Sequence, residues 1–520
     1  MLNKRNILPV PFSKPIVIIF FISLLYSLYV QVNLGMDGFW DTMNYHYYIG
    51  WAFSEYRTFQ FDSIASYHSY LNPLLDFINY SLFSFHPYLG ALFHSLIYAV
   101  SSCVLCLLAL RCFPVDTFKR KEVYYLCFMS LCIGMTGTMG VSLFGSFTNE
   151  HQVSLLVLIA LLLSVNYIQA PSPFHFCLIA IFLGGGLGFK LTIAPYLIAC
   201  TLALFLITGV SIIRLFYFAL SGLLGFLIVD GYFLFQRLWE TGNPVFPMAN
   251  NVFNSKFYQS TWFSFGSVTN LSIQDYLTLP VQWLYSGLFS EAGTSRDPRL
   301  LLGFIGCFIV LIAGIKGRAT KQEMFLVLFF CISWLSWILL FRVWRYLIVL
   351  EYLSGILILL GVWKLKYMKL LHKMIIVFLI MILLIECTRY ANWGRRAWQD
   401  NFQTSDFSYL RDIGKDKSLL VLLNGFRVSI FSEELKRMNI DFASLQAQSW
   451  YDGLRHKSPI AFSVKDLDDF EMIFFLQQGD DDISLESKYL EEYFDGYAYK
   501  CQSLDTNAPA VPSLCKFVPI

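Results

Sequence analysis

Two aspartates four residues apart, set among aromatics, are the first residues in this chain that could do chemistry: Met36-Asp-Gly-Phe-Trp-Asp-Thr-Met-Asn-Tyr-His-Tyr-Tyr. On a helix that spacing puts Asp37 and Asp41 on one face, which Tyr45 and Tyr48 continue. A carboxylate partly buried among Phe39, Trp40 and Tyr45 has its pKa raised by desolvation, which suits it to take a proton from an acceptor hydroxyl or amine. Tyr45 and His46 stand beside it as candidate contacts to that acceptor or to the group it receives. The competing reading is an interfacial helix whose Trp and Tyr form an aromatic belt and whose acids are simply solvated.

Further chemistry-bearing residues recur at the ends of apolar runs. In Ser146-Phe-Thr-Asn-Glu-His-Gln, Thr148 or Asn149 can cap a helix and Glu150 falls in its first turn, where the dipole favours an acid by ~0.3–1 kcal/mol. The sharper reading makes Glu150 a second active-site acid, with His151 able to ligate a divalent metal. Gly184-Gly-Gly-Leu-Gly-Phe-Lys lets helices approach closely and brings Lys190 to headgroup level, as a phosphate contact or a snorkelling anchor. Gly242-Asn-Pro-Val-Phe-Pro signals rigid turns, since each proline restricts itself and its predecessor. Asn243 there either shapes the loop or offers its amide to the hydroxyls of a polar substrate. Arg299, after Arg296 and Asp297, and Arg345, in Phe341-Arg-Val-Trp-Arg-Tyr, present planar forks suited to a phosphate. The plain alternative is pairing of Arg299 with Asp297 and of Arg345 with Glu351. Asp230 and Glu351, inside apolar runs, must be paired or face a polar cavity.

The elements that position these residues are membrane spans. The 520 residues are 56% hydrophobic, 18% aromatic and only 14% charged, with mean hydropathy +0.56, well outside the makeup of soluble domains. A net charge of +2 supplies no basic field for nucleic acid. Runs near the ~20 residues that cross a bilayer number about eleven, beginning near Pro15, Tyr88, Val123, Gln152, Phe174, Thr192, Ser211, Arg299, Glu323, Arg345 and Lys373. Basic clusters mark the cytoplasmic side: Lys4, Arg5 and Lys14; Arg111, Lys119, Arg120 and Lys121; Lys316, Arg318 and Lys321; Lys364, Lys366, Lys369 and Lys373. Alternating spans put every cluster on one side, the N-terminus with them. The interruptions 36–87 and 236–298 and the C-terminal tail then lie outside. The fold expected is all-α and polytopic over residues 1–388, with a small extracytoplasmic α/β domain over 389–520, in the cell's inner membrane. Cys501 and Cys515, in the polar tail, could pair in an oxidising compartment, whereas the other ten of the 12 cysteines sit in or beside apolar runs.

An acid just after the first span, inside a long and partly helical external loop, resembles the type C glycosyltransferase superfamily, the membrane transferases that use polyprenyl-phosphate sugars. The Gly242-Asn-Pro-Val-Phe-Pro stretch resembles an element of uncharacterised bacterial members of that superfamily. The resemblance covers order and topology over roughly the first three quarters of the chain. It implies a polyprenyl-phosphate-linked sugar as donor and a glycan, lipid or protein of the cell envelope as acceptor. Asp37 or Asp41 would be the base, and Glu150 would help hold acceptor, sugar or metal. Lys190, Arg299 and Arg345 would hold the carrier phosphate, with inversion at the anomeric carbon. The rival readings are an O-antigen-type polymerase, which would carry arginine-rich motifs in its large loops, and a lipid or glycan transporter, which would carry repeats and membrane-centre charges.

Overall fold

The structure is a computed structural model that describes residues 14–56, 65–113, 119–255, 272–290, 293–403, 407–413, 419–424, 429–444, 472–478, 497–503 and 512–519. The basic residues Lys4 and Arg5 lie outside the described residues.

The chain runs through α1 (Lys14–Leu34), α2 (Tyr47–Ser54), α3 (Leu74–Phe85), α4 (Pro87–Cys112), α5 (Arg120–Gly134), α6 (Thr138–Ser142), α7 (Glu150–Gln169), α8 (Pro173–Phe189) and α9 (Ala194–Thr208). It continues through α10 (Ile212–Thr241), α11 (Asn250–Phe253), α12 (Ile273–Gln282), α13 (Arg299–Ile315), α14 (Lys321–Leu340), α15 (Ile348–Lys364) and α16 (Leu370–Cys387). Among the described residues eight helices are long and apolar enough to cross a membrane: α1, α4, α7, α10, α14, α16, and α9 and α15 together with the 3-10 turns that lead into them. The remaining three expected spans fall on α5, α8 and α13, of 15, 17 and 17 residues. At ~1.5 Å per residue these reach about 22–26 Å, short of the ~30 Å hydrocarbon core.

Contacts between helix termini show how the helices alternate. At one end Lys190, just past α8, meets Glu150 at the start of α7. There Arg299, opening α13, bonds Ile133 O near the end of α5 and Thr388 just past α16. At the other end Lys364, closing α15, bonds Arg318 O in the turn between α13 and α14 and Glu323 in the first turn of α14. The basic clusters around Lys316 and Lys364 therefore share the end opposite the acids Asp41 and Glu150.

Beyond α16 the chain folds back over the acid-bearing end through a bridge between Met36 and Arg396, then forms α17 (Ser408–Ile413), α18 (Ser432–Arg437) and a five-stranded sheet. Its strands are β1 (Leu419–Asn424), β2 (Asp441–Ser444), β3 (Met472–Gln478), β4 (Tyr497–Ser503) and β5 (Pro512–Pro519), in the order β2-β1-β3-β5-β4. β1 is parallel to β2 and β3, while β5 is antiparallel to β3 and β4. Cys501 and Cys515 stand opposite each other on β4 and β5 and form a disulfide. Val421, Phe474, Leu476 and Leu514 of the sheet and Leu435 of α18 share one apolar core with Tyr47 and Trp51 of α2. Glu433 accepts hydrogen bonds from Tyr47 (2.7 Å) and Tyr80 (2.9 Å), and Ser429 donates to Asn44 O (2.5 Å). The small domain is thus seated on the first loop.

Candidate functional site

After α1 the backbone turns at Gly35, whose φ of +94° and close approach to the Arg396 carbonyl leave no room for a side chain. Asp37 follows, buried, and its carboxylate accepts from Phe39 N (2.9 Å), Thr42 Oγ1 (2.6 Å) and Phe147 N (3.0 Å). It ties the first loop to the second. Two further cations lie over it: Arg396 donates to Asp37 O (3.1 Å) and Arg395 to Ser142 O (2.6 Å). Burial lowers the pKa of both guanidinium groups, Arg396 to about 10, against the opposing pull of the Asp37 charge.

The next residues form a single π-helical turn, Thr42–His46, in place of the α-helix that the four-residue spacing suggests. Such turns are rare and recur at functional sites. Asp41 immediately precedes it, 6% exposed, and its Oδ2 lies 2.6 Å from Arg345 Nη2. Arg345 Nε is in turn 3.6 Å from Glu150 Oε1, and that same oxygen is 2.6 Å from Lys190 Nζ. Lys190 also donates to Thr148 O. Tyr346 supplies an aromatic face 5.3 Å from the Arg345 guanidinium and 5.6 Å from the Lys190 ammonium, with Phe39 5.0 Å from Arg345 on another side. Two acids from the first two loops and two cations from later helix ends therefore meet in one cluster, buried except for the half-buried Lys190.

The electrostatics of Asp41 differ from the sequence expectation. Burial does push its carboxyl up, but the Arg345 guanidinium, aided by His46, His68 and a hydrogen bond from Tyr45, outweighs it and holds the group below the usual carboxylate range. Burial, and then the Asp41 charge, drive the Tyr45 phenol well above its ordinary value. His68 stacks on Tyr45 with centroids 4.1 Å apart, and burial lowers its pKa to about 4, so it is neutral near pH 7.

His46 stands one π turn beyond Asp41. Its Nδ1 is 2.8 Å from Asp76 Oδ1, and Asp76 also accepts from Asn149 Nδ2 (2.6 Å). Asn149 holds a left-handed φ of +68° at the cap of α7, and its Oδ1 accepts from Asn79 (2.8 Å). His46 Nε2 is buried with no hydrogen-bond partner among the described residues. Nothing in the local sequence of Asp76 and His68 sets them apart; only α3 and the turn before it bring them against the π turn, at His46 and Tyr45.

Other candidates lie elsewhere. Arg299 bonds Asp297 (2.7 Å), Ile133 O (2.6 Å), Thr388 (2.9 Å) and Thr136 (2.9 Å), the local pairing its neighbour suggests. Glu351 pairs with the backbone of α6, accepting from Met139 N (3.1 Å) and Gly140 N (3.1 Å), and Arg345 goes to Asp41 instead. Asp230 pairs with Arg237, which also donates to Pro244 O and Tyr70 O. Asn243 shapes its own loop: Nδ2 donates to Met248 O (2.8 Å) and Oδ1 accepts from Val245 N (3.0 Å). His151 is held against Tyr352 (2.9 Å), and among the described residues no three His, Cys, Asp or Glu side chains gather as metal ligands.

No protein-family model matches the chain, and no curated protein matches it.

Proposed function

We propose that this protein is an integral membrane glycosyltransferase that moves a sugar from a polyprenyl-phosphate carrier to an extracytoplasmic acceptor in the cell envelope. The observation that carries the reading is the Arg345 guanidinium set between Asp41 and Glu150, with Lys190 on the same Glu150 oxygen. Acids alone would repel a phosphate and cations alone would offer no base, but this cluster holds both side by side.

In the proposed reaction the acceptor hydroxyl attacks the anomeric carbon and the bond from that carbon to the phosphate oxygen breaks. The configuration inverts. The hydroxyl proton passes to the Asp41 carboxylate and the polyprenyl phosphate leaves with both electrons of the broken bond. Arg345 and Lys190 stabilise the charge that grows on the leaving phosphate. As phosphate engages Arg345, Asp41 loses part of the interaction that holds its pKa down, so donor binding itself makes Asp41 a better base. Asp37, already accepting three hydrogen bonds, is the weaker candidate for that role.

The topology in this reading is eleven passes in the inner membrane, with the N-terminus cytoplasmic and the cluster, both long loops and the C-terminal domain outside. The basic clusters at the opposite end and the disulfide of the C-terminal domain support that sidedness. The test is transfer from a radiolabelled polyprenyl-phosphate sugar pool by membranes with matched amounts of wild type, Asp41→Asn, Glu150→Gln or Asp37→Asn. Asp41→Asn is expected to lose about 10²–10⁴-fold in rate while remaining folded. Normal transfer by both Asp41→Asn and Glu150→Gln, or no transfer by wild type from any donor, would turn the reading toward transport.

A further inference from the structure

A cavity of ≈ 500 Å³ lies apart from the acid cluster, between α1, α4, α5 and α16. Its rim is formed by Ile22, Phe128 and Ile385, exposed by 56%, 54% and 70%. In a polytopic bundle such outward apolar side chains face lipid, so the groove opens sideways into the bilayer. Its floor is Tyr98 and Leu131, both buried. Between Ile19 and Tyr26 it follows α1 for about 10 Å, at 1.5 Å per residue, toward the end of the bundle that carries the acids.

At that end the lining turns polar. Arg299, Thr136 and Thr388 border it, together with the phenols of Tyr26 and Tyr390. Arg299 is not a free cation: Asp297 lies 2.7 Å away, and its Nε, Nη1 and Nη2 donate to Ile133 O, to Asp297 and Thr388, and to Thr136. Among the described residues, four of the five N–H donors of this guanidinium are thereby used and its charge is matched. This end offers one remaining guanidinium N–H and two phenol hydroxyls without a net positive charge. Such a set suits an uncharged oxygen acceptor and gives a phosphate no electrostatic advantage.

We infer that this groove is a lipid site that takes one acyl chain of a membrane glycerolipid, with the ester carbonyl at its head against Arg299, Tyr26 and Tyr390. The chain fills the apolar length, and the phosphate or other headgroup stays outside at the membrane surface. The site is separate from the Asp41 cluster and does not depend on glycosyl transfer.

The test is native mass spectrometry of the full chain released from nanodiscs containing a diester phosphatidylethanolamine, its dialkyl ether analogue, or a polyprenyl phosphate. Wild type is expected to retain the diester lipid and to hold the ether analogue about fivefold less well, the net worth of one hydrogen bond of about 1 kcal/mol. Ser23→Trp, which places a ring in the groove from α1, is expected to lose retention. Leu220→Trp, on the exposed face of α10, is expected to keep it. Equal retention by Ser23→Trp and wild type overturns the site. Equal retention of diester and ether lipids overturns the carbonyl contact, and preferential retention of the polyprenyl phosphate overturns the choice of occupant. Should Ser23→Trp fail to fold, Ser102→Leu fills the same groove from α4 with a smaller side chain and is read the same way.

Discussion

Asp37 and Asp41 look interchangeable in the sequence, and what separates them is partners far along the chain. Phe147 N comes to Asp37 from the second loop, and Arg345 comes to Asp41 from the 3-10 turn that leads into α15. The acids were legible as residue types at a membrane edge; their division of labour was not, because it is made by tertiary contacts. Asp37→Asn puts an amide N–H₂ where three donors converge. We expect a loss of about 1–3 kcal/mol, read as a lower Tm in detergent, with any residual transfer tracking the folded fraction. A Tm equal to wild type would count against its role as a tie between loops. His68 carries a second expectation. Its folded pKa of about 4 is depressed below the ordinary value of 6.5, so the unfolded chain binds the proton first as pH falls. The stability contribution of neutral His68 is present above about pH 6.5 and is lost between there and about pH 4, at up to ~1.4 kcal/mol per pH unit. His68→Gln should flatten the fall in Tm over that window, and superimposable curves for the two proteins would refute the assignment.

At the scale of elements, apolar runs announce the helices but not how far each one extends. α5 stops at Gly134 and α8 at Phe189 because the chain turns there to deliver α6 and Lys190 to the acid-bearing end. Those terminations depend on loop partners that hydropathy does not register. The π turn at Thr42–His46 was equally illegible, since its residues are compatible with an ordinary helix. The glycine run before Lys190 was more informative. It marks a close helix approach, and the structure supplies the partner: a side chain at Gly184 would collide with the Gly222 carbonyl of α10, and one at Gly188 would meet Val229 at 3.0 Å. Gly185 differs, for a Cβ there meets Gly225 O and Val229 at an ordinary 3.6 Å. Gly184→Ala should therefore force α8 away from α10, cost about 1–3 kcal/mol, and weaken transfer by moving Lys190 from Glu150. Gly185→Ala should leave stability within about 0.5 kcal/mol of wild type or raise it slightly. Tm and transfer measured on the two variants side by side decide the matter; equal behaviour would mean that α8 and α10 do not pack this tightly in the membrane.

The whole molecule has two unlike ends, and its sidedness is the arrangement on which the proposed reaction depends. One end gathers the basic turns around Lys316 and Lys364. The other gathers the acid cluster and carries the small domain, bound to the first loop through Ser429, Glu433 and the core around Tyr47. Strand and helix patterns in the tail were legible from the sequence; that the domain seats on the first loop was not, because the contacting residues lie about 390 positions apart, beyond the reach of any local pattern. The disulfide makes the sidedness measurable. Cys501 is exposed and Cys515 buried, so reduction should release one reactive thiol on the surface of the small domain. We expect a membrane-impermeant maleimide to label intact cells at Cys501 only after mild reduction, and not to label Cys501→Ser. The ten other cysteines are buried or half-buried and provide the background. Labelling that needs permeabilised membranes would place the small domain, and with it Asp41, Glu150 and Arg345, on the cytoplasmic side. A transferase drawing on an externally displayed polyprenyl-phosphate sugar could not then operate, whereas external labelling would put the acids, the cations and the domain above them on the side where such a donor is presented.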